Sequence, residues 1–156
     1  MVKNKFNLER KKLYRSLESS VGNTPLYKIQ KIEVPNGNTI YAKEEWLNPT
    51  GSAFDRLYPF LFRIAEEDGF IVPGVTPVIE ASTGNASASF TWSAKKLGYN
   101  DCTVVLHSNT PKVRIDYIKS YGAKIEFGYK LHSVGNLQKL EEILEKDRKE
   151  KGGKIG

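Results

Sequence analysis

Leu8, Leu13 and Leu17 recur at spacings that suit one face of a helix over residues 7–19. V-G-N-T-P at 21–25 breaks that rhythm. Two runs of strand character follow, LYKIQKIEV at 26–34 and TIYAKEEW at 39–46, separated by Pro35, Asn36, Gly37 and Asn38. An Asn-Gly pair between such runs predicts a β-hairpin. Ser52 then stands as a helix N-cap, with Asp55 three residues later in a capping-box position. The predicted helix runs on through FDRLYPFLFRIAEEDG, where Pro59 fits only the first turns.

From residue 77 the pattern alternates regularly. PVIEA, CTVVLH and AKIEF are short apolar runs that read as buried strands. ASASFTWSAKKLGY reads as a small-residue helix stopped near Gly98. NTPKVRIDYIKSYG reads as a helix with Thr110 as N-cap and Pro111 in first position. Leu137, Leu140 and Leu144 mark a last amphipathic helix. Continuous apolar strands separated by helices predict a mainly parallel sheet covered on both faces. The expected fold is therefore α/β, a three-layer α/β/α domain with an N-terminal β-hairpin extension. The expected divisions are a helix at 1–20, a crossover and hairpin at 21–46, the α/β domain at 47–150 and a polar tail at 151–156.

The 156 residues suffice for one domain with a sizeable core. No apolar run is long enough to span a bilayer. The charged N-terminus lacks the apolar stretch of a secretory signal, so the expected location is cytoplasmic. Cys102 is the only cysteine, which rules out an internal disulfide and a cysteine metal cluster; in CTVVL it reads as a small buried hydrophobe. The net charge of +6 raises the question of nucleic acid. The basic residues, however, sit in mixed-charge segments at the two ends, without interleaved aromatics, and read as solvated surface. No nucleic-acid or membrane partner is expected.

Ligands of open parallel sheets bind beyond the C-terminal ends of the strands. The turn after VIEA holds Ser82, Thr83, Gly84 and Asn85 at the start of a helix. Its amides and two hydroxyls can hold a carboxylate or phosphate. Plain capping by Ser82 or Thr83 explains the same residues, and spacing alone leaves both readings open. Neither GxGxxG nor a P-loop is present. His107 and His132 lack metal-ligand spacing, and no metal site is expected. Trp46, Trp92 and the eight tyrosines read as packing.

Three segments carry a resemblance. They are V-G-N-T-P-L at 21–26, K-E-E-W-L-N-P-T-G-S-A-F-D-R at 43–56 and V-I-E-A-S-T-G-N at 78–85. In this order and at these separations they resemble the cysteine synthase and cystathionine β-synthase family of fold-type-II pyridoxal-phosphate enzymes. TVVLHSNTPKVRIDYIKSYGAKIE is similar to the family's following strand, loop and helix. The likeness implies that residues 82–85 hold a substrate carboxylate and that Asn85 matches the asparagine on the cofactor's 3'-oxygen. It also implies that Asn48, Pro49, Gly51, Ser52, Asp55 and Arg56 frame the segment that carries the cofactor lysine.

That lysine's position is held by Phe54. A Schiff base needs an amine, and proton transfer needs a group that can hold a proton. Lys43 and Lys95 are the neighbouring amines, and nothing in their spacing recruits them. The family is also about twice this long, and its second domain supplies a glycine loop for the cofactor phosphate. Gly152 and Gly153 are poor substitutes. The expectation is an incomplete, catalytically inactive cysteine-synthase-like chain with no catalytic residue and no cofactor of its own. It is expected to bind an amino acid or small carboxylate, or to associate with a second copy or a complementing second-domain protein. The alternatives are an enzyme active only when so complemented, and a purely structural module. Phe54 itself is expected to fill cofactor space as a covered apolar side chain.

Overall fold

The computed structural model describes residues 7–129 and 132–150, with the side chains of 132–134 left aside. Helix α1 (Leu8–Ser19) is capped by Asn7, whose side chain accepts from the Arg10 amide at 3.0 Å. Its inward residues are Tyr14 and Leu17; Leu8, expected on that face, is exposed.

The hairpin forms, though much shorter than the sequence pattern suggests. Strand β1 (Leu26–Lys28) pairs antiparallel with β2 (Tyr41–Lys43), Leu26 opposite Lys43. At its tip Asn36 and Gly37 both take positive φ, 62° and 71°, which an Asn-Gly pair accepts readily. Five of its six strand residues are exposed, so no buried face extends the pairing. Trp46, expected to pack, is also exposed.

Residues 53–67 are not one helix. A 3-10 turn (Ala53–Arg56) gives way at Leu57 to α2 (Tyr58–Glu67). Pro59 has no N–H to donate to the Asp55 carbonyl, so a continuous α-helix cannot pass through it. Ser52 does cap the turn, accepting from the Phe54 amide at 3.1 Å.

Strands β3 (Val78–Ala81), β4 (Cys102–Leu106) and β5 (Lys124–Phe127) form a parallel sheet in that order. Their crossovers are α3 (Asn85–Lys96) and α4 (Lys112–Ser120), and α5 (His132–Glu150) follows β5. Cys102, Val104 and Leu106 face a core shared with Phe62, Phe90, Ala94, Leu97, Tyr99 and Ile118. Val105 points to the opposite face by the period of two and is also fully buried. It is covered from the side of α5, which touches β3 and β4. The central strand is thus sandwiched between helices, as an apolar CTVVL run requires.

Two details differ from expectation. Pro111, not Thr110, is the residue before α4, with φ −57° and ψ 139°; its carbonyl accepts from Arg114 and Ile115, and Thr110 makes no cap. Leu137 is exposed, whereas Leu140 and Leu144 are half-buried. Residues 151–156, including Gly152 and Gly153, lie outside the described residues.

Candidate functional site

Two segments border α3, and each is braced by groups far away in sequence. The first is residues 48–56. Asn48 is buried and holds the V-G-N-T-P turn: its Oδ1 accepts from the Gly22 amide at 2.8 Å, and its Nδ2 donates to the Glu45 carbonyl and carboxylate. Arg56 donates through Nε and Nη2 to the two oxygens of Glu45, both at 2.8 Å, and Nη2 also reaches Thr24 Oγ1. Arg56 and Thr24 together hold the Glu45 carboxyl down at about 2. Gly22 is required here: its φ is +82°, and a Cβ would lie 2.7 Å from Arg56 Nη1.

Asp55 departs from the capping box. Its carboxylate, fully buried, accepts instead from the Thr50 amide at 2.7 Å and the Thr50 hydroxyl at 2.6 Å. Thr50 Oγ1 lies 2.9 Å from Ser89 Oγ on α3, and Tyr117 on α4 donates to the Thr50 carbonyl at 2.7 Å. Burial pushes the Tyr117 hydroxyl pKa upward, so it stays a donor. Pro49 and Gly51 complete the turn, Gly51 at φ +70°.

Phe54 sits on this rigid frame with 44% of its surface exposed. The expected covered side chain is not found. Its amide is used by the Ser52 cap, in a short 3-10 turn. Lys43 donates to the Thr24 carbonyl and Lys95 to the Asn100 carbonyl at 2.8 Å, so both neighbouring amines are engaged elsewhere.

The second segment is residues 82–85. Ser82 Oγ accepts from the Gly84 amide at 3.2 Å, and Ser87 Oγ donates to the Ser82 carbonyl. Helix α3 begins at Asn85 with Gly84 as N-cap and no side-chain cap. Neither Ser82 nor Thr83 therefore plugs the first turn. The Ser87 amide is taken by the Gly84 carbonyl, and Asn85 is exposed. Arg114 Nη1 fixes the loop from α4, donating to the Thr83 carbonyl at 3.2 Å. The result is an uncapped positive helix end with a hydroxyl-bearing loop, a chemistry suited to a carboxylate.

Sequence reading missed Tyr117, Arg114, Ser89 and Glu45. Tyr117 and Arg114 are three apart on one helical face, which could have marked them as a pair. His107 is half-buried at the end of β4, and no group of metal ligands occurs among the described residues. Burial pushes the Cys102 thiol up to about 11, which makes it an inert core residue.

The fold is that of the N-terminal domain of fold-type-II pyridoxal-phosphate enzymes. The family profile "Pyridoxal-phosphate dependent enzyme" matches residues 17–154, and the chain belongs to that family. It is 29% identical over 135 residues to a probable cysteine synthase of Bacillus subtilis, covering 86% of this chain and 43% of that protein. It is 36% identical over 110 residues to cysteine synthase B of Salmonella typhimurium, covering 70% of this chain and 36% of the relative. Among solved structures, a hydrogen sulfide-producing enzyme from Fusobacterium nucleatum superposes with a TM-score of 0.75 at 31% identity, covering 83% of this chain and 42% of the enzyme. The chain thus spans less than half the length of these relatives. Phe54 does not fit a covalently held cofactor, because it offers no amine for an imine. Among the described residues no helix is long and apolar enough to cross a membrane.

Proposed function

We propose that this chain is a non-catalytic, cysteine-synthase-like half that binds a small amino-acid carboxylate at residues 82–85. One observation carries the reading: the frame around residue 54 is fully bonded, yet the residue it presents is an exposed phenylalanine. Such a site can orient a carboxylate through Ser82, Thr83 and the first amides of α3. It cannot form an imine or move a proton at position 54. Asn85 is the remnant of the cofactor contact. The uncapped start of α3 supports binding over a retained cap.

Titration calorimetry with serine, cysteine and phosphoserine tests the reading. Heat of binding that disappears in Thr83→Val is expected. No heat with any of the three leaves the loop as a structural turn and refutes the binding claim. β-Replacement activity of the purified chain alone refutes the non-catalytic claim.

The hairpin supports a second reading. Its strands expose both faces and an edge, which proteins seldom leave bare. A separate chain carrying a second domain would cover it, and with a lysine and a phosphate cradle of its own could complete an enzyme. Activity that appears only on mixing the two chains would favour this reading over the first.

A further inference from the structure

The tip of the hairpin holds the chain's only Asn-Gly pair, Asn36 and Gly37. Both residues are exposed, and a Cβ built on Gly37 would meet nothing within 4 Å. Hydrogen bonds do little to hold the pair. The Gly37 amide has no acceptor among the described residues, and the Asn36 side chain makes no hydrogen bond. Asn38 closes the turn: its amide reaches the Pro35 carbonyl only at 3.5 Å, and its Nδ2 donates there at 3.0 Å. In the 3-10 turn of residues 45–47, by contrast, the Leu47 amide meets the Glu44 carbonyl at 3.1 Å. A tip with so few bonds, on a ladder with no buried face, opens at little cost.

We propose that Asn36 is a spontaneous modification site, where the side chain closes on the Gly37 nitrogen and the resulting cyclic imide opens to aspartate and isoaspartate. The Gly37 nitrogen gives its proton to a solvent base and attacks Cγ of Asn36. A C–N bond closes the ring, and Nδ2 takes up a proton and leaves as ammonia. Water then adds to one imide carbonyl and breaks its bond to nitrogen. Opening at Cγ leaves aspartate. Opening at the main-chain carbonyl leaves isoaspartate, with the chain now running through Cγ. Water is the one co-reactant. The approach requires ψ of Asn36 to leave its turn value of 26°, which the weakly closed tip permits. Gly37 has no side chain to obstruct the nitrogen.

Other asparagines are held back by their surroundings. Asn48 is buried and precedes Pro49, which has no N–H. The amide after Asn109 is that of Thr110, which donates to the His107 carbonyl at 3.0 Å. Asn136 is buried within α5. Reaction at residue 36 lowers the net charge of +6 by one and, in the isoaspartyl product, lengthens the main chain at a tip whose two positive φ values suit Asn-Gly. The inference does not use residues 82–85 and stands apart from the proposed function.

Incubation of the full chain at neutral and mildly alkaline pH, followed by digestion and mass spectrometry, tests it. The peptide carrying residues 36 and 37 should gain the mass of one amide-to-acid exchange and split into two chromatographic species. The rate should rise with pH, because the attacking nitrogen must lose its proton. Hydroxylamine should cleave the incubated chain at the bond between residues 36 and 37. Peptides carrying Asn85 and Asn109 should stay unchanged over the same interval. Gly37→Ala should slow the conversion several-fold. Asn36→Gln, which would have to close a larger ring, should abolish it and serves if Gly37→Ala disturbs the turn. An unchanged Asn36 in the folded chain, while a free peptide of residues 33–40 converts, overturns the proposal, because the turn then protects its own tip. Conversion of Asn85 or Asn109 at the same rate overturns it as well.

Discussion

Replacing Phe54 by lysine puts an amine on the hydrogen-bonded frame of residues 48–56. The structure sets the cost. A fully buried phenylalanine is worth about 1.5–3 kcal/mol of apolar burial. At 44% exposure Phe54 collects roughly half of that, about 1 kcal/mol. A lysine recovers part of it by laying its methylene stem on the same surface and keeping its ammonium in water. The Ser52 cap survives, because it uses the amide of residue 54 and not its side chain. Asp55 and Arg56 keep their partners as well. Phe54→Lys should therefore cost less than about 1 kcal/mol in urea unfolding, with an unchanged m-value. Incubated with pyridoxal phosphate and reduced with borohydride, the variant should show at most weak, non-saturating labelling by mass spectrometry. A loss above about 3 kcal/mol would show that Phe54 is core after all, since that is the range for truncating packed aromatics. Tight, stoichiometric labelling at residue 54 would refute the claim that the half-chain lacks a cofactor site.

The buried carboxylate of Glu66 accepts from Arg10 Nε at 3.0 Å and also from Arg10 Nη2, Tyr14 and Tyr99. Glu66→Gln keeps the shape but removes the charge, and should cost about 3–5 kcal/mol in denaturant unfolding, as for other broken buried pairs. Glu45, with its pKa lowered from 4.5 to about 2, binds a proton more readily when the chain is unfolded. Its contribution is therefore fully present above about pH 4.5 and lost as the pH falls towards 2. Acid unfolding of Glu45→Gln should be flatter over that window than that of the unaltered chain.

The layered fold was legible because local pattern and tertiary burial agree. CTVVL is apolar at every position but Thr103 and is the strand buried on both faces. The Asn-Gly tip was legible for the same reason, since its positive φ values are a local property. The hairpin's length was not, because its alternation faces no partner layer. At the site, the sequence singled out Asn48 and Arg56 but not Glu45, the carboxylate both donate to. The Thr50 hub joins residues 39 and 67 positions away, and no periodicity connects Thr50 to Ser89 or Tyr117. Asp55 shows the limit of a motif: the spacing fits a capping box, yet the carboxylate turned to a stronger pair of donors on Thr50. Phe54 could be placed in its segment from sequence, but its exposure depends on what lies above it.

The Glu66 cluster also bears on where the folding unit starts. The family match opens at residue 17, whereas Arg10 and Tyr14 lie ahead of it on α1. Trimming to the matched boundary would strip two of the three residues that satisfy Glu66 and leave a bare carboxylate against Tyr99 and the end of α3. Residues 8–16 are therefore an integral part of this domain's packing. They act as a plug for a charge that the rest of the domain cannot neutralise unaided.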